Sequence, residues 1–259
     1  MIITVLNQKG GVGKTTSALN IGAFLAKKGK KTILIDLDPQ SNLTSGLGMS
    51  ILSSSDEKKN LSVYDVLLEN NSLSEVFVAT NIDNLYLVPS NISLAGAEIE
   101  LVNKISRELK LKTAISKFSE NYDYIIIDNP PSLGLLTINS LAASEHVIVP
   151  LQCEYYALEG VSQLLKTIDL VRDSLNPNLS LMGVLLTMYD SRVKISEAVA
   201  SEIKEFFKDK TFDTIIPRNV KLSEAPSFGK AIFDYDPTSS GSHAYDLFTD
   251  ELLNKYGQK

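Results

Sequence analysis

The chain has 259 residues, of which 44% are hydrophobic and 22% charged, and this composition is typical of a soluble globular protein large enough to bury its own core. Cys153 is the only cysteine, which excludes an intramolecular disulfide and a metal site made of cysteines alone. The formal net charge of −6 argues against a protein whose whole surface is adapted to nucleic acid, but it permits a local basic patch.

The sequence predicts no targeting or membrane segment. Residues 1–6 do not combine a basic stretch with a long apolar one, so we expect no signal peptide. No segment approaches 18 uninterrupted apolar residues, so we expect no transmembrane helix.

Strands and helices alternate along the chain. Residues 2–6 predict a buried strand, residues 15–28 a helix that stops at Gly29, and residues 32–35 a second strand that ends at Asp36. Later strands are predicted at residues 85–88, 124–127, 146–150 and 181–187, and later helices at residues 93–105, 157–171, 194–207 and 242–256. The alternation predicts an α/β fold with a doubly wound, mainly parallel sheet flanked by helices.

Only one segment has the composition of an exposed loop. Residues 53–60 are almost entirely polar, and we predict a mobile surface loop there. Because nothing else resembles a linker and no repeat is present, residues 1–259 are expected to form a single domain.

A glycine-rich segment joins the first predicted strand to the first predicted helix. It consists of Lys9, Gly10, Gly11, Val12, Gly13, Lys14, Thr15 and Thr16. The glycines let backbone N–H groups turn toward phosphate oxygens, and the following helix adds its amino-terminal dipole. Lys14 would supply a positive charge to the β- and γ-phosphates, and the Thr15 hydroxyl is placed to bind Mg²⁺. The segment therefore predicts a nucleotide site of the P-loop NTPase type.

This segment departs from the usual G-x-x-x-x-G-K-[ST] pattern. Gln8 stands where the pattern has its first glycine, and a second lysine, Lys9, precedes the glycines. The arrangement Lys-Gly-Gly-x-Gly-Lys-Thr is the deviant Walker A motif. A glycine-rich turn without a ligand is the alternative, which the strand–loop–helix context disfavours.

Three aspartates follow predicted strands. Asp36 and Asp38 end the second strand, and Asp128 ends the strand at residues 124–127. Each one alone is best explained as a cap or turn residue. However, ligands of α/β sheets bind beyond the carboxyl ends of the strands, so their joint placement at that edge favours a functional site.

These segments, together with later ones, resemble the ParA family of partition ATPases, whose short form is often called Soj. The resemblance covers nearly the whole chain and is carried by residues 7–16, 36–40, 128–134, 152–160, 187–192 and 216–230. The last three segments are more specific to short ParA proteins than the first two. Residue 129 is Asn, where the family leads us to expect Cys, Ser, Thr or Ala.

The resemblance implies a Mg²⁺-dependent ATPase in which ATP binding drives a two-fold sandwich dimer. Lys9 would reach the phosphates of the partner protomer, Lys14 would hold phosphate within its own protomer, and Asp38 would orient the attacking water. The metal site implied by the family consists of Thr15, Asp36 and Asp128, with the carboxylates acting through metal-bound water. Turnover is expected to be slow until a partner completes the site.

The position of the adenine and the role of the cysteine follow less directly. The adenine is expected near Met188 and near Pro217 and Arg218, where strand ends meet loops, although a plain core role for Met188 is an equal alternative. Cys153 is expected to be a small buried side chain rather than a nucleophile.

The family's partners are non-specific DNA and a ParB-like protein that reads the centromere and stimulates hydrolysis. The candidate DNA-binding residues are Arg192, Lys194, Arg218, Lys221 and Lys230. Each could equally be an ordinary solvated charge, but a dimer would double the patch and raise its avidity for DNA. The resemblance also implies a cytoplasmic, nucleoid-associated protein.

Two alternative functions stay open. A MinD-like, membrane-cycling ATPase would need a basic amphipathic helix at its carboxyl terminus. Here Asp246, Asp250 and Glu251 give that helix the wrong charge for anionic lipid, so we expect no membrane partner and a helix that packs on the sheet. An ATP-switched protein that positions a protein cargo is the other alternative.

Overall fold

The computed structural model describes residues 1–49, 61–118, 122–154, 157–158 and 160–257, so the predicted loop at residues 53–60 lies outside the described residues. The strands are β1 (Ile2–Val5), β2 (Thr32–Asp36), β3 (Val78–Ala79), β4 (Leu85–Val88), β5 (Tyr124–Asp128), β6 (His146–Gln152) and β7 (Ser180–Thr187). They form one seven-stranded sheet in the order β3-β4-β2-β5-β1-β6-β7. Strand β3 pairs antiparallel with β4, and the other neighbours pair parallel.

The helices connect and cover these strands. They are α1 (Lys14–Lys27), α2 (Asn42–Gly46), α3 (Val63–Leu68), α4 (Leu73–Val76), α5 (Leu94–Leu101), α6 (Lys110–Ser116), α7 (Leu135–Ala143), α8 (Val161–Ser174), α9 (Lys194–Phe207), α10 (Val220–Glu224), α11 (Ile232–Tyr235) and α12 (Ser240–Tyr256). The predicted α/β fold with a mainly parallel sheet is confirmed.

Alternate residues of the central strands enter opposite cores. In β2, Leu34 packs in the core that contains α1, whereas Ile33 and Ile35 pack in the core beneath α3 and α5. Because side chains alternate with a period of two along a strand, a sheet covered on both faces needs apolar residues at every position. That requirement explains why the strands were recognisable as short, continuous apolar runs.

Several element bounds differ from the prediction. Helix α5 ends at Leu101 rather than at residue 105, and α8 begins at Val161 rather than at residue 157. Short elements such as α3 were not predicted at all. A capping box fixes the start of α3, where the Ser62 side chain accepts from Tyr64 N and Asp65 accepts from Ser62 N.

The carboxyl-terminal helix packs against the body of the protein. Tyr245 and Phe248 of α12 are buried in the core that contains α1, and the Tyr256 hydroxyl donates to the carbonyl of Met182 in β7 at 2.9 Å. On the outer face, Lys28 pairs with Asp246 at 2.6 Å and with Asp250 at 2.8 Å. The predicted packing is confirmed. Within the described ranges, no helix is both long enough and apolar enough to cross a membrane.

Candidate nucleotide site

The glycine-rich segment forms the turn between β1 and α1. Gly11 and Gly13 have φ angles of 74° and 86°, in the left-handed region that favours glycine. The carbonyl of Gly13 accepts the N–H of Ser17 at 2.9 Å and so starts the helix. The turn lines a cleft of about 770 Å³, which we call the glycine-loop cleft; its lining includes Gly10, Gly11, Gly13, Lys14, Thr15, Thr16, Asp38 and Met188.

Lys14 is held inside this cleft. Its side chain is largely buried, and Nζ donates to the carbonyl of Lys9 at 3.2 Å. Burial lowers the pKa of Lys14, and the nearby carboxylates of Asp128 and Asp38 oppose that shift. A cation that has lost much of its hydration is suited to an anionic ligand that restores its electrostatic stabilisation.

Lys9 behaves differently from Lys14. It is not among the described residues that line the glycine-loop cleft, and its Nζ forms an ion pair with Glu154 Oε2 at 3.3 Å. The Lys9 side chain is 46% exposed. Glu154 also accepts from Gln152 and lies 3.6 Å from Arg218 Nη2. Lys9, the additional lysine of the deviant motif, therefore lies outside the cleft of its own chain.

Asp36 is buried at the end of β2 and is hydrogen-bonded on both oxygens. Its Oδ2 accepts from Thr44 N at 2.9 Å and from Thr44 Oγ1 at 2.7 Å, and its Oδ1 accepts from Asp38 N at 3.1 Å. Burial raises the pKa of Asp36 from 3.8 to about 6, although these hydrogen bonds act in the opposite direction. Asp38 itself caps the next turn, where its Oδ1 accepts from Gln40 N at 2.9 Å.

Asp128 is fully buried and lies beside Asp36 in the register of β2 and β5. Neither of its carboxylate oxygens accepts a hydrogen bond of ordinary geometry from a described residue. Burial, followed by the charge of Asp36, raises the pKa of Asp128 from 3.8 to about 8. The Thr15 hydroxyl lies close enough to oppose this rise without making such a hydrogen bond.

The Asp128 carboxyl group, whose oxygens accept no hydrogen bond of ordinary geometry from the described residues, fits a divalent cation. A buried carboxylate without partners is costly unless a positive charge or donors reach it. Among the described residues, no three His, Cys, Asp or Glu side chains form a complete metal cluster. The paired carboxyl groups of Asp36 and Asp128 suit Mg²⁺, which usually keeps water and phosphate oxygens and takes only one or two protein carboxylates.

The residues expected near the adenine are only partly brought together. Met188 lines the glycine-loop cleft and has a φ of 52°, which is unusual for a residue with a side chain. Pro217 and Arg218 do not line that cleft in the part of the chain that the structure describes. They contact Tyr189, the residue after Met188: Tyr189 forms a bridge with Pro217, and its carbonyl accepts from Arg218 N at 2.9 Å.

The structure adds cleft residues that the sequence did not single out. Pro226 and Ser227 line the glycine-loop cleft, and Thr44 donates its hydroxyl proton to Asp36. Val12, by contrast, is buried, and its carbonyl accepts from Thr187 Oγ1 at 2.9 Å. Pro226 and Ser227 belong to the segment at residues 216–230 that carries the family resemblance, so their region, but not their place in the cleft, was predictable.

Most of the candidate DNA-binding residues are exposed, and three have a carboxylate partner. Arg192 pairs with Asp190 at 2.7 Å, and Lys221 pairs with Glu224 at 2.9 Å. Arg218 shares Glu154 with Lys9. The remaining two candidates, Lys194 and Lys230, are exposed at the start of α9 and after α10. The three paired side chains are held weakly, because exposed ion pairs contribute little to stability.

Cys153 is buried directly after β6. Burial raises the pKa of its thiol to about 11, so the thiol is protonated at neutral pH and unreactive. The prediction that it is a small buried side chain is confirmed.

The geometry agrees with three comparisons to known proteins. A family model described as an AAA domain matches residues 1–181. The sporulation initiation inhibitor protein Soj of Bacillus subtilis is 55% identical to this chain and covers 98% of it, with 98% of that protein covered in turn. The chromosome-partitioning ATPase Soj of Treponema pallidum is 48% identical, with 99% of this chain and 98% of that protein covered.

A solved structure shows the same fold at similar length. The cobyrinic acid a,c-diamide synthase from Mycobacterium smegmatis, with a bound ATP analogue and magnesium, is 40% identical and superposes with a TM-score of 0.84. The match covers 100% of this chain and 97% of that one. The glycine loop, its two lysines and the strand-end aspartates are all in place, and the family model matches most of the chain. The chain therefore belongs to the AAA domain family and, by its similarity to the curated relatives, to the Soj and ParA family of chromosome-partitioning ATPases.

Proposed function

We propose that this chain is a DNA-segregation ATPase in which ATP binding joins two protomers and the dimer binds DNA without sequence specificity. The chain is a P-loop ATPase that uses ATP and Mg²⁺. The observation that carries the proposal is the contrast between its two motif lysines. Lys14 is buried in its own cleft, whereas Lys9 is exposed outside it and so is available to a second chain.

Within one protomer, the glycine loop and Lys14 would hold the β- and γ-phosphates. Backbone N–H groups around Gly11 and Gly13 provide donors, and the desolvated ammonium of Lys14 provides the charge. When Mg²⁺ is bound, it neutralises phosphate charge and fixes the position of the oxygens. Thr15 would ligate the metal directly, and Asp36 and Asp128 would hold it through bound water.

Asp38 would orient the attacking water. It lines the glycine-loop cleft and lies two residues beyond Asp36, at the same edge of the sheet as the metal site. A carboxylate in that place can accept a hydrogen bond from water and direct its lone pair toward the γ-phosphate. Such catalysis depends on positioning and electrostatics, so turnover would stay slow until a partner fixes the geometry.

Lys9 would complete the site of the other protomer. In the described chain it is held by Glu154, an exposed pair that contributes little stability and is easily exchanged. Across a two-fold interface, its ammonium would stabilise charge that develops on the partner's phosphates, as an arginine finger does. ATP would then act as the signal for dimerisation, since phosphate supplies the partner for Lys9.

The dimer would present two copies of the basic residues Arg192, Lys194, Arg218, Lys221 and Lys230. Each phosphate contact releases counterions, and doubling the contacts raises avidity, which would overcome the net charge of −6. A ParB-like protein would stimulate hydrolysis and release the dimer. The protein would then be cytoplasmic and associated with the nucleoid.

Diamide synthesis and MinD-like membrane cycling are each disfavoured by a specific observation. The Mycobacterium structure is named for diamide synthesis, but it shares 40% identity with this chain, against 55% for the Bacillus Soj protein. MinD-like membrane cycling is disfavoured because α12 is buried against α1 and exposes Asp246 and Asp250.

Analytical sedimentation with ATP and Mg²⁺ tests the proposal. The wild-type chain is expected to dimerise with ATP but not with ADP, and Lys9→Ala is expected to bind ATP yet stay monomeric. Lys31→Ala is the matched control, because Lys31 is an exposed lysine just before β2, at the opposite edge of the sheet. ATP-dependent dimers of the Lys9→Ala chain would contradict the assigned role.

A further inference from the structure

A closed ring of hydrogen bonds includes two of the strand-end aspartates. It joins Asp36 and Asp38 to two hydroxyl residues, Thr44 in α2 and Ser90 just after β4. All four residues are buried, and none is more than 7% exposed. Neither hydroxyl residue follows from the glycine-loop motif, and neither lines the glycine-loop cleft in the described structure.

The direction of each hydrogen bond in this ring is determined. Ser90 N donates to Thr44 Oγ1 at 3.0 Å, so the hydroxyl accepts there and donates its own proton to Asp36 Oδ2 at 2.7 Å. Ser90 Oγ donates to the Asp38 carbonyl at 2.8 Å. Asp38 N donates to Asp36 Oδ1 at 3.1 Å and closes the ring.

The ring constrains both aspartates. Three donors on the two oxygens of Asp36 fix the plane of its carboxylate, and two of those donors come from Thr44. Ser90 fixes the backbone of Asp38 by its carbonyl and ties it to the end of β4. Because β4 pairs with β2, Ser90 follows a strand that neighbours the one ending at Asp36.

We propose that Thr44 and Ser90 are positioning residues with separate tasks: Thr44 orients Asp36 for the Mg²⁺ complex, and Ser90 orients Asp38 for the attacking water. The proposal rests on the roles given to Asp36 and Asp38 in the proposed function. Groups that orient metal-site carboxylates typically affect metal affinity about 10- to 100-fold when they are removed. A constraint on a water-orienting residue affects turnover instead.

The decisive experiment compares Thr44→Val, Thr44→Ser and Ser90→Ala. Valine keeps the shape of threonine but removes the hydroxyl, whereas serine keeps the hydroxyl. Thr249→Val is the matched control, because the Thr249 hydroxyl is buried in α12 and bonds the Tyr245 carbonyl at 2.7 Å, outside the cleft. Binding of a fluorescent ATP analogue is titrated with Mg²⁺, single-turnover hydrolysis is measured at saturating Mg²⁺, and thermal unfolding reports stability.

Thr44→Val is expected to raise the Mg²⁺ concentration at half-maximal binding by about tenfold or more. Thr44→Ser and Thr249→Val are expected to behave as the wild type in this titration. Ser90→Ala is expected to slow hydrolysis about tenfold while leaving the Mg²⁺ dependence of binding unchanged. This division of effects would support the proposal, since a general loss of stability would shift all readouts together.

Wild-type Mg²⁺ dependence in Thr44→Val, or an equal defect in Thr44→Ser, would overturn the role of Thr44. If Thr44→Val does not unfold cooperatively, Ser90→Ala decides: hydrolysis no slower than in Thr249→Val would overturn the ring's function. A wild-type chain that binds and hydrolyses the nucleotide with Mg²⁺ but does not dimerise with ATP would overturn the proposed function and leave the roles of Thr44 and Ser90 open to the same test, which separates the two failures.

Discussion

The glycine-loop cleft and the basic carboxyl-terminal segments hold their charged groups in opposite ways. Lys14 in the cleft and the strand-end carboxyl groups of Asp36 and Asp128 are buried, and burial shifts the pKa of each away from its usual value. In the basic segments, Arg192 and Lys221 lie at the surface beside single carboxylates. We therefore expect that replacing one buried residue of the nucleotide site abolishes function. Replacing one exposed basic residue should reduce DNA affinity only slightly.

The largest expected effect belongs to Lys14. Lys14→Ala removes the buried ammonium that would face the phosphates, and we expect nucleotide affinity to fall by about 100-fold. Equilibrium binding of a fluorescent ATP analogue measures this directly, with Lys31→Ala as the control. Affinity within about threefold of the wild type would show that the backbone of the glycine loop holds the phosphates alone.

The next effect concerns hydrolysis without loss of binding. Asp38→Ala is expected to keep nucleotide binding and dimerisation but to slow turnover by about 10²- to 10⁴-fold, since the water loses its orienting carboxylate. Phosphate release under single-turnover conditions and sedimentation of the ATP-bound protein provide the two readouts. Normal turnover in this variant would remove Asp38 from the mechanism.

Gly10 tests the interface apart from the fold. A Cβ at Gly10 would meet no described atom of its own chain within 4 Å, so Gly10→Val should not disturb the monomer. Against a second protomer the added side chain would crowd the contact, and we expect dimerisation to weaken by about tenfold or more. Gly10→Ala should give a smaller effect of the same sign. Unchanged ATP-dependent dimerisation of Gly10→Val in sedimentation would argue that no partner approaches this loop closely.

Asp128 gives a prediction about pH. Its pKa is raised to about 8 in the folded chain, so the folded protein without nucleotide holds a proton that the unfolded chain releases near pH 3.8. The stability that this raised pKa contributes is complete below pH 3.8 and is lost as the pH rises to about 8. The melting temperature of Asp128→Asn should therefore lie at least about 2 °C above that of the wild type at pH 8.5. The difference between the two melting temperatures should be smaller at pH 5.

Calorimetry of the nucleotide-free chains at both pH values measures this difference. A melting temperature of Asp128→Asn that falls below that of the wild type at high pH would contradict the raised pKa.

The smallest effect concerns one basic residue at a time. Lys230→Ala is expected to reduce the slope of log DNA affinity against log salt by about 0.9, as for the loss of one phosphate contact. Dimerisation should not change. Arg172→Ala is the control, because Arg172 is a partly exposed cation of α8 outside the candidate patch. Equal DNA affinity of wild type and Lys230→Ala at every salt concentration would exclude Lys230 from the patch.

The same contrast explains what could be predicted from the sequence. The glycine loop was recognisable because Gly11 and Gly13 need backbone angles that other residues avoid, so the chemistry is written in residue type and spacing. The apolar runs predicted parallel strands, and their carboxyl ends placed Asp36 and Asp128 at the same edge of the sheet. The ring through Thr44 and Ser90 was not predictable, because it joins residues from separate elements whose contact depends on how α2 and β4 pack.

The basic residues were recognisable only through the family resemblance. Nothing in the spacing of Arg192, Lys221 and Lys230 indicates that they share a surface.

Two further expectations from the sequence have different outcomes. That the whole chain is a single domain stays a prediction. The Asn at position 129 is buried, and its Nδ2 donates to Thr4 Oγ1 at 2.6 Å, which shows how a departure from the family pattern is accommodated between β1 and β5.

Co-sedimentation with DNA tests the central claim most directly, namely that ATP converts this chain into a dimer that binds DNA. The chain is spun with long duplex DNA and, in parallel, with anionic liposomes, each with ATP, with ADP and without nucleotide. The account predicts that the protein pellets with DNA only when ATP is present, and that it stays in the supernatant with liposomes. Pelleting with liposomes alone, or with DNA regardless of nucleotide, would contradict it.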